Sequence, residues 1–182
     1  IAKRTVRIEG VNNLKELNYS VMPDRIEAGT YLIAAALTEG NLKITGIDPK
    51  IISTEISILK KIGSKITLRK NEILIQGSKK IKNINIKTSP YPGFPTDLQA
   101  QIMVLMLKAS GTSKITENIF ENRFMHVPEL RRMGAKIITK KNVALVSGPT
   151  NLSGAEVMAT DLKASVSLVL AALIADNTTV IN

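Results

Sequence analysis

The sequence predicts an α/β fold turned inside out, with helices in the interior and sheets around them, and three observations predict it. Two segments, GSKITLRKNEILIQG from Gly63 and GAKIITKKNVALVSG from Gly134, align without a gap, about seventy residues apart. Three other segments share a different pattern of turn, aspartate, helix, polar break and β-branched strand: VMPDRIEAGTYLIAAALTEGNLKITGI, GFPTDLQAQIMVLMLKASGTSKITENI and VMATDLKASVSLVLAALIADNTTVIN. The helical stretches behind those three aspartates are apolar nearly all round, so they must be buried on most sides. Packing such helices together leaves the sheets outside, which inverts the usual α/β layering.

Taken in order, the chain opens in the strand-like KRTVRIEG and reaches its first buried helix after Asp24. An amphipathic helix follows in ISTEISILKKIG, closed by Gly63 as a C-cap. A hairpin then turns at Lys70-Asn71, its arms alternating apolar and polar residues. The second copy repeats the scheme with Asp97, the helix FMHVPELRRMG closed by Gly134, and a hairpin turning at Lys141-Asn142. The unit is βαβαββ, with repeats at about 1–77, 78–148 and 149–182, the third truncated halfway. Residues 1–182 are read as one domain. Because the chain starts without Met, inside a strand pattern, it reads as an excised piece of a longer protein.

Composition narrows the function. With 182 residues and 44% hydrophobic residues, the chain is long enough for a sizeable core. Its longest apolar runs, YLIAAAL and VSLVLAALIA, fall short of the roughly 20 residues that cross a bilayer, and no signal segment opens it. The expectation is a soluble, cytoplasmic protein with no membrane partner. The absence of cysteine excludes disulfides, thiolate nucleophiles and thiolate metal sites within these residues, and one histidine argues against transition-metal chemistry. A net charge of +10 favours anionic partners: nucleic acid, an anionic membrane surface or phosphorylated small molecules. Aromatics at 3% give few stacking platforms, and the lysines are spread along turns and strand ends, so no nucleic-acid partner is expected.

Asp24, Asp97 and Asp161 each stand at the first turn of a buried helix, where an aspartate satisfies orphan backbone N–H groups and complements the helix dipole. Asp97 differs in being preceded by SPYPGFP, a stiff loop better suited to shaping a cleft than to entering a helix. Arg123 stands between a strand end and a helix start, where a guanidinium either holds a phosphate or carboxylate or is merely solvated. His126 reads as packed or capping rather than catalytic. Arg131 and Arg132 suit the C-terminal dipole of their helix. Arg25 and Glu27 are read as a local pair. There is no Gly-rich phosphate loop.

The motifs MPDRIEAGT, PTDLQAQ, ENRFMHVPELRRMGA and VMATDLKAS together resemble the family of bacterial UDP-N-acetylglucosamine enolpyruvyl transferases, from about Val6 to the last residue. The resemblance implies an inside-out α/β barrel of the enolpyruvyl transferase type, one of two such domains that enclose a cleft. This chain would be most of the C-terminal domain. The N-terminal domain of the same chain, with its mobile catalytic loop, would be the missing partner, and the piece alone would be inactive. The implied reaction moves an enolpyruvyl group from phosphoenolpyruvate to the 3-hydroxyl of UDP-N-acetylglucosamine, the first committed step of peptidoglycan synthesis, without a cofactor.

By motif position, Asp97 is implied as the general base that bonds that hydroxyl. Ile119, through its backbone, and Phe120 would line the sugar pocket. Arg123 would bind the anionic phosphoenolpyruvate group and stabilise charge in the intermediate. Asp161 would orient the intermediate or cap its helix. Lys163 stands where the family usually has arginine; it keeps the charge but loses the two-pronged fork that matches a carboxylate. Two alternatives are kept: a sibling enzyme acting on shikimate 3-phosphate, and a non-catalytic RNA-binding module whose affinity would fall steeply with salt.

Overall fold

The first helix begins where Asp24 accepts hydrogen bonds from the amides of Ile26 at 2.7 Å and Glu27 at 3.4 Å, a cap that contributes about 0.5–2 kcal/mol. The structure, a computed structural model, describes residues 5–159 and 162–182. Helix α1 (Arg25–Leu37) runs through Ala- and Leu-rich sequence of high helix propensity and ends at Thr38, with Glu39 in the left-handed region (φ 58°). Lys108 fixes that end from the neighbouring repeat, donating to the Leu37 carbonyl at 3.0 Å and pairing with Glu39 at 2.9 Å. The lysine beside it holds the Glu39 carboxyl below its ordinary value.

Strand β1 (Asn41–Thr45), a 3-10 turn at Pro49–Ile52, helix α2 (Ser53–Ile62) and strands β2 (Lys65–Arg69) and β3 (Glu72–Gln76) complete the first unit. Gly63 closes α2 at φ 122°, and its N–H bonds back to the Leu59 and Lys60 carbonyls; only glycine adopts that backbone without strain. The sheet order is β1-β3-β2, all antiparallel, and alternation sets its register: Leu42 faces Ile75 and Ile44 faces Ile73 across one ladder. Ile73 and Ile75 are buried in the core.

The second unit repeats this with one more strand. Strand β4 (Ile86–Lys87), a 3-10 turn at Thr96–Leu98, helix α3 (Gln99–Met106), strand β5 (Gly111–Thr116), helix α4 (Val127–Arg132) and strands β6 (Lys136–Lys140) and β7 (Val143–Gly148) form a sheet ordered β4-β5-β7-β6. Its β4-α3-β5 crossover joins parallel strands, and so does strand β8 (Glu156–Val157), helix α5 (Leu162–Ala172) and strand β9 (Val180–Ile181) in the third. All eight residues of α3 are buried, with α1 and α5 against it and sheets beyond, so the architecture is the inside-out α/β arrangement.

Three readings of the sequence differ from the structure. KRTVRIEG forms no strand among the described residues: Val6 and Ile8 are exposed, and β1 pairs on one edge only, with β3, whereas β5 pairs on both. Alternation marks a segment fit for a ladder but supplies no partner. Helix α4 begins at Val127 and not at Phe124, since Pro128 sits in its first turn and the preceding residues form turns. Helices α1 and α5, although apolar, leave Tyr31, Leu162 and Val169 exposed, because hydropathy reports how apolar a face is and not whether it is covered.

At equivalent places in the two complete hairpins, Gly77 and Gly148 follow or end the last strand where it passes the C-terminus of a buried helix. A Cβ on Gly77 would meet the Ala35 carbonyl oxygen at 2.6 Å, and one on Gly148 the Leu107 carbonyl oxygen at 2.7 Å. Backbone cannot step aside cheaply. In the protein that carries this chain, Gly77→Ala and Gly148→Ala are each expected to lower stability by about 1–3 kcal/mol in urea unfolding, while Gly10→Ala, with open space around it, changes nothing. Equal midpoints for all three variants would contradict the close packing of strand on helix.

Candidate active site

The loop from Ser89 to Pro95 leaves β4 and returns to the buried helix α3, and its ends are pinned by Ser89 N donating to the Phe94 carbonyl at 3.0 Å. Phe94 and Pro95 are buried while Tyr91 and Pro92 stand out, so the loop is anchored from below and presented from above. Two contacts from the first repeat hold the presented part. The Thr54 hydroxyl donates to the Pro92 carbonyl at 2.5 Å, and the Arg25 guanidinium lies 4.9 Å from the centre of the Tyr91 ring. Arg25 is aimed by an ion pair with Glu55 at 3.1 Å. This corrects the expectation of a local pair with Glu27. The sequence hides it because the partners are 30 residues apart and belong to different helices.

Asp97 emerges at the end of this loop, inside the 3-10 turn that leads into α3. Its Oδ1 accepts from Arg123 Nη2 at 3.0 Å, with the two side chains 36% and 26% exposed, so the pair sits at a surface mouth. Arg123 in turn lies 5.0 Å from the centre of the Phe120 ring. The structure therefore brings Asp97, Phe120 and Arg123 together from two loops. Ile119 and Phe120 are 38% and 53% exposed, open enough to meet a ligand. The amides of both donate to Glu117, at 2.8 and 3.2 Å, so the backbone group at Ile119 left for a ligand is the carbonyl. Beside Arg123 lies a cleft of about 320 Å³, walled by Phe120, Asn122, Phe124, Lys141 and Asn142.

Other candidates fall elsewhere. Asp24 caps α1, accepting from the amides of Ile26 and Glu27. His126 is 2% exposed, packed under the 120–126 turns at the entrance to α4. Arg131 donates to the Ile137 carbonyl at 2.8 Å, and Arg132 pairs with Glu129 at 3.7 Å, so both are structural. Asp161 lies outside the described residues, and of Lys163 only the backbone, within α5, is described. Among the described residues no group of three or more His, Cys, Asp or Glu converges as a metal site, and no helix is long and apolar enough to cross a membrane.

Comparison with known proteins adds the following. A family model described as EPSP synthase (3-phosphoshikimate 1-carboxyvinyltransferase) matches residues 1–182. A protein of Pelagibacter ubique (strain HTCC1062) named UDP-N-acetylglucosamine 1-carboxyvinyltransferase is 80% identical over 181 residues, covering 100% of this chain and 43% of that protein. One of the same name from Geotalea daltonii is 54% identical over 178 residues, covering 98% of this chain and again 43% of the relative. The chain thus spans less than half the length of the curated relatives it matches. Among solved structures, the enolpyruvyl transferase NikO of Streptomyces tendae matches with TM-score 0.76 and 28% identity over 85% of this chain and 37% of its own. EPSP synthase of Acinetobacter baumannii, at TM-score 0.65 and 19% identity over 86% of this chain and 38% of its own, shares the fold.

The Glu55 end of the clamp carries a pH signature. Burial raises its carboxyl above the ordinary 4.5, outweighing the opposing pull of its own backbone hydrogen bond and of Arg25. A group that binds its proton more tightly when folded makes the protein lose stability as pH rises from about 4.5 through the raised value. Urea midpoints of the wild type and Glu55→Gln, followed from pH 4 to 8, are expected to diverge in that sense, the wild type declining relative to the variant. Parallel curves would contradict the account.

Proposed function

The chain belongs to the EPSP synthase (3-phosphoshikimate 1-carboxyvinyltransferase) family, and from that membership we propose that it forms part of an enzyme that transfers the enolpyruvyl group of phosphoenolpyruvate to the 3-hydroxyl of UDP-N-acetylglucosamine. The observation that carries the reading is the Asp97–Arg123 ion pair, whose arginine lines a cleft, in a chain 80% identical to a relative named for that transfer. Under this reading the chain contributes the C-terminal wall of the active site, a further domain of the same protein supplies the other wall, and the product enters peptidoglycan synthesis in the cytoplasm.

The chemistry needs a proton removed from a hydroxyl and charge held on an intermediate. Asp97 takes the proton of the 3-hydroxyl as that oxygen forms its bond to C2 of phosphoenolpyruvate, while C3 gains a proton from an acid outside this chain. A tetrahedral intermediate results. Loss of a proton from C3 and of inorganic phosphate from C2 then leaves the enol ether. Arg123, with one of its five N–H donors on Asp97, turns the others toward the phosphate or carboxylate of phosphoenolpyruvate. The Ile119 carbonyl and the Phe120 ring receive the sugar, and Lys163 adds a point charge from the third repeat. The charge of +10 suits substrates that are both anions.

Phosphate release from phosphoenolpyruvate by the full-length protein, with UDP-N-acetylglucosamine and shikimate 3-phosphate offered separately, tests the reading. Release is expected with the UDP-sugar alone; release with shikimate 3-phosphate alone would favour the sibling reaction. In the same assay, Asp97→Asn is expected to lower kcat by about 10²–10⁴-fold with KM for the UDP-sugar little changed. An unaltered kcat would remove Asp97 from the base role.

A further inference from the structure

We propose that Glu117 is the positioning residue of this site, the group that fixes the Asp97 turn and the Ile119–Phe120 backbone relative to each other; the inference rests on the proposed function above. Glu117 follows β5 and is 2% exposed. A carboxylate that deep is costly to bury unless it is bonded. Here both oxygens are bonded, and every donor is a neutral group fixed by the fold. Oε1 accepts from the Thr88 hydroxyl at 2.7 Å, from Ile119 N at 2.8 Å and from Phe120 N at 3.2 Å, while Oε2 accepts from the Thr96 hydroxyl at 2.9 Å.

The backbone of Glu117 is held just as firmly. Its N–H donates to the Asn142 carbonyl at 2.8 Å, and its carbonyl accepts from Asn142 Nδ2 at 2.9 Å, so the β6–β7 hairpin turn that walls the cleft also grips it. Thr88, the residue after β4, is 0% exposed and also accepts from Asn118 N at 2.9 Å. The carboxylate is therefore referenced to two parts of the second sheet.

The direction of the remaining arms separates this from an ordinary buried carboxylate. One arm ends on Thr96, covalently next to Asp97. Two others end on Ile119 and Phe120, and the Phe120 ring carries the Arg123 guanidinium. Each member of the Asp97–Arg123 pair is thus one residue, or one ring contact, from the same carboxylate. The 3.0 Å separation of the pair is set through Glu117 as well as by their mutual attraction. An ion pair alone tolerates many geometries; a carboxylate with four fixed donors tolerates few. For a base that must meet a hydroxyl at hydrogen-bond distance, that restriction has catalytic value.

The test uses Thr96→Val and Thr96→Ser in the full-length enzyme, with Glu117→Gln as a third variant and Asp97→Asn as reference. Thr96→Val removes only the arm to the Asp97 turn; Thr96→Ser restores the hydroxyl. Thr96→Val is expected to lower kcat by about tenfold or more with KM for both substrates within about twofold, since displacements of the order of 1 Å carry penalties of that size. Thr96→Ser should regain the wild-type kcat, and Glu117→Gln should lose more than Thr96→Val. Variants that lose thermal stability but keep kcat would overturn the proposal and leave Glu117 a structural group.

A second readout does not depend on which reaction is catalysed. In a crystal structure of Thr96→Val, the Asp97–Arg123 pair is expected to open beyond 4 Å; an unchanged pair would overturn the positioning role. If the wild type releases no phosphate with either acceptor but the pair opens in Thr96→Val, the reaction assignment fails and the positioning role stands.

Discussion

A helix with no polar face has nowhere to go but the middle of a protein, and α3 is such a helix. Gln99 to Met106 are all buried, and the two glutamines among them are enclosed with the rest. Everything around α3 can be read as the means of covering it: α1 on one side, α5 on another, and β5 and β7 of its own repeat outside. The same burial forces its entry. The chain must pass from solvent to the core within the few residues between Pro92 and Leu98, and a polar side chain at that threshold is caught between the two. Asp97 occupies the threshold, so the enclosure of α3 and the exposure of a carboxylate at a surface mouth have one cause.

Repetition makes this exception visible. Asp24 and Asp97 hold equivalent places in sequence, yet Asp24 accepts from the two amides that follow it and stabilises a helix end, whereas Asp97 reaches 26 residues along the chain to Arg123. What separates them is the loop before each. Among the described residues, nothing comparable to the Tyr91 and Pro92 anchors, held by Arg25 and Thr54 of the first repeat, precedes Asp24. A duplicated unit thus keeps its capping role in one copy while, in the next, a clamped approach aims the aspartate at an arginine. The first repeat serves the second as a brace.

Local features were legible in the sequence because their causes are local. The paired hairpins, with left-handed Asn71 and Lys141 at their turns, follow from alternation broken by polar pairs; the C-cap at Gly63 follows from glycine's freedom at positive φ. The special standing of Asp97 was legible from its prolines. Arg123 stood out by its place between a strand end and a helix start, but its role, and Phe120 altogether, were reached through family resemblance, since an arginine before a helix has many uses. What could not be read was long-range. Arg25 looked like the partner of a near neighbour and instead joins Glu55 and Tyr91. Glu117 carries no local signal in the sequence, and only the fold shows four donors from three segments converging on it. The opening strand failed for a related reason: alternation at Val6 and Ile8 cannot report whether a partner edge is there.

These strands meet at the placement of one oxygen. The account makes Asp97 the group that faces the acceptor hydroxyl, held there by its loop, by Arg123 and by the carboxylate beneath. The most direct measurement is a crystal structure of the full-length protein with UDP-N-acetylglucosamine bound. The account predicts a carboxylate oxygen of Asp97 about 2.6–3.2 Å from the 3-hydroxyl oxygen of the sugar, with the Ile119 carbonyl and the Phe120 ring against the same sugar. A sugar bound with its 3-hydroxyl on another residue, and Asp97 still engaged only with Arg123, would contradict it.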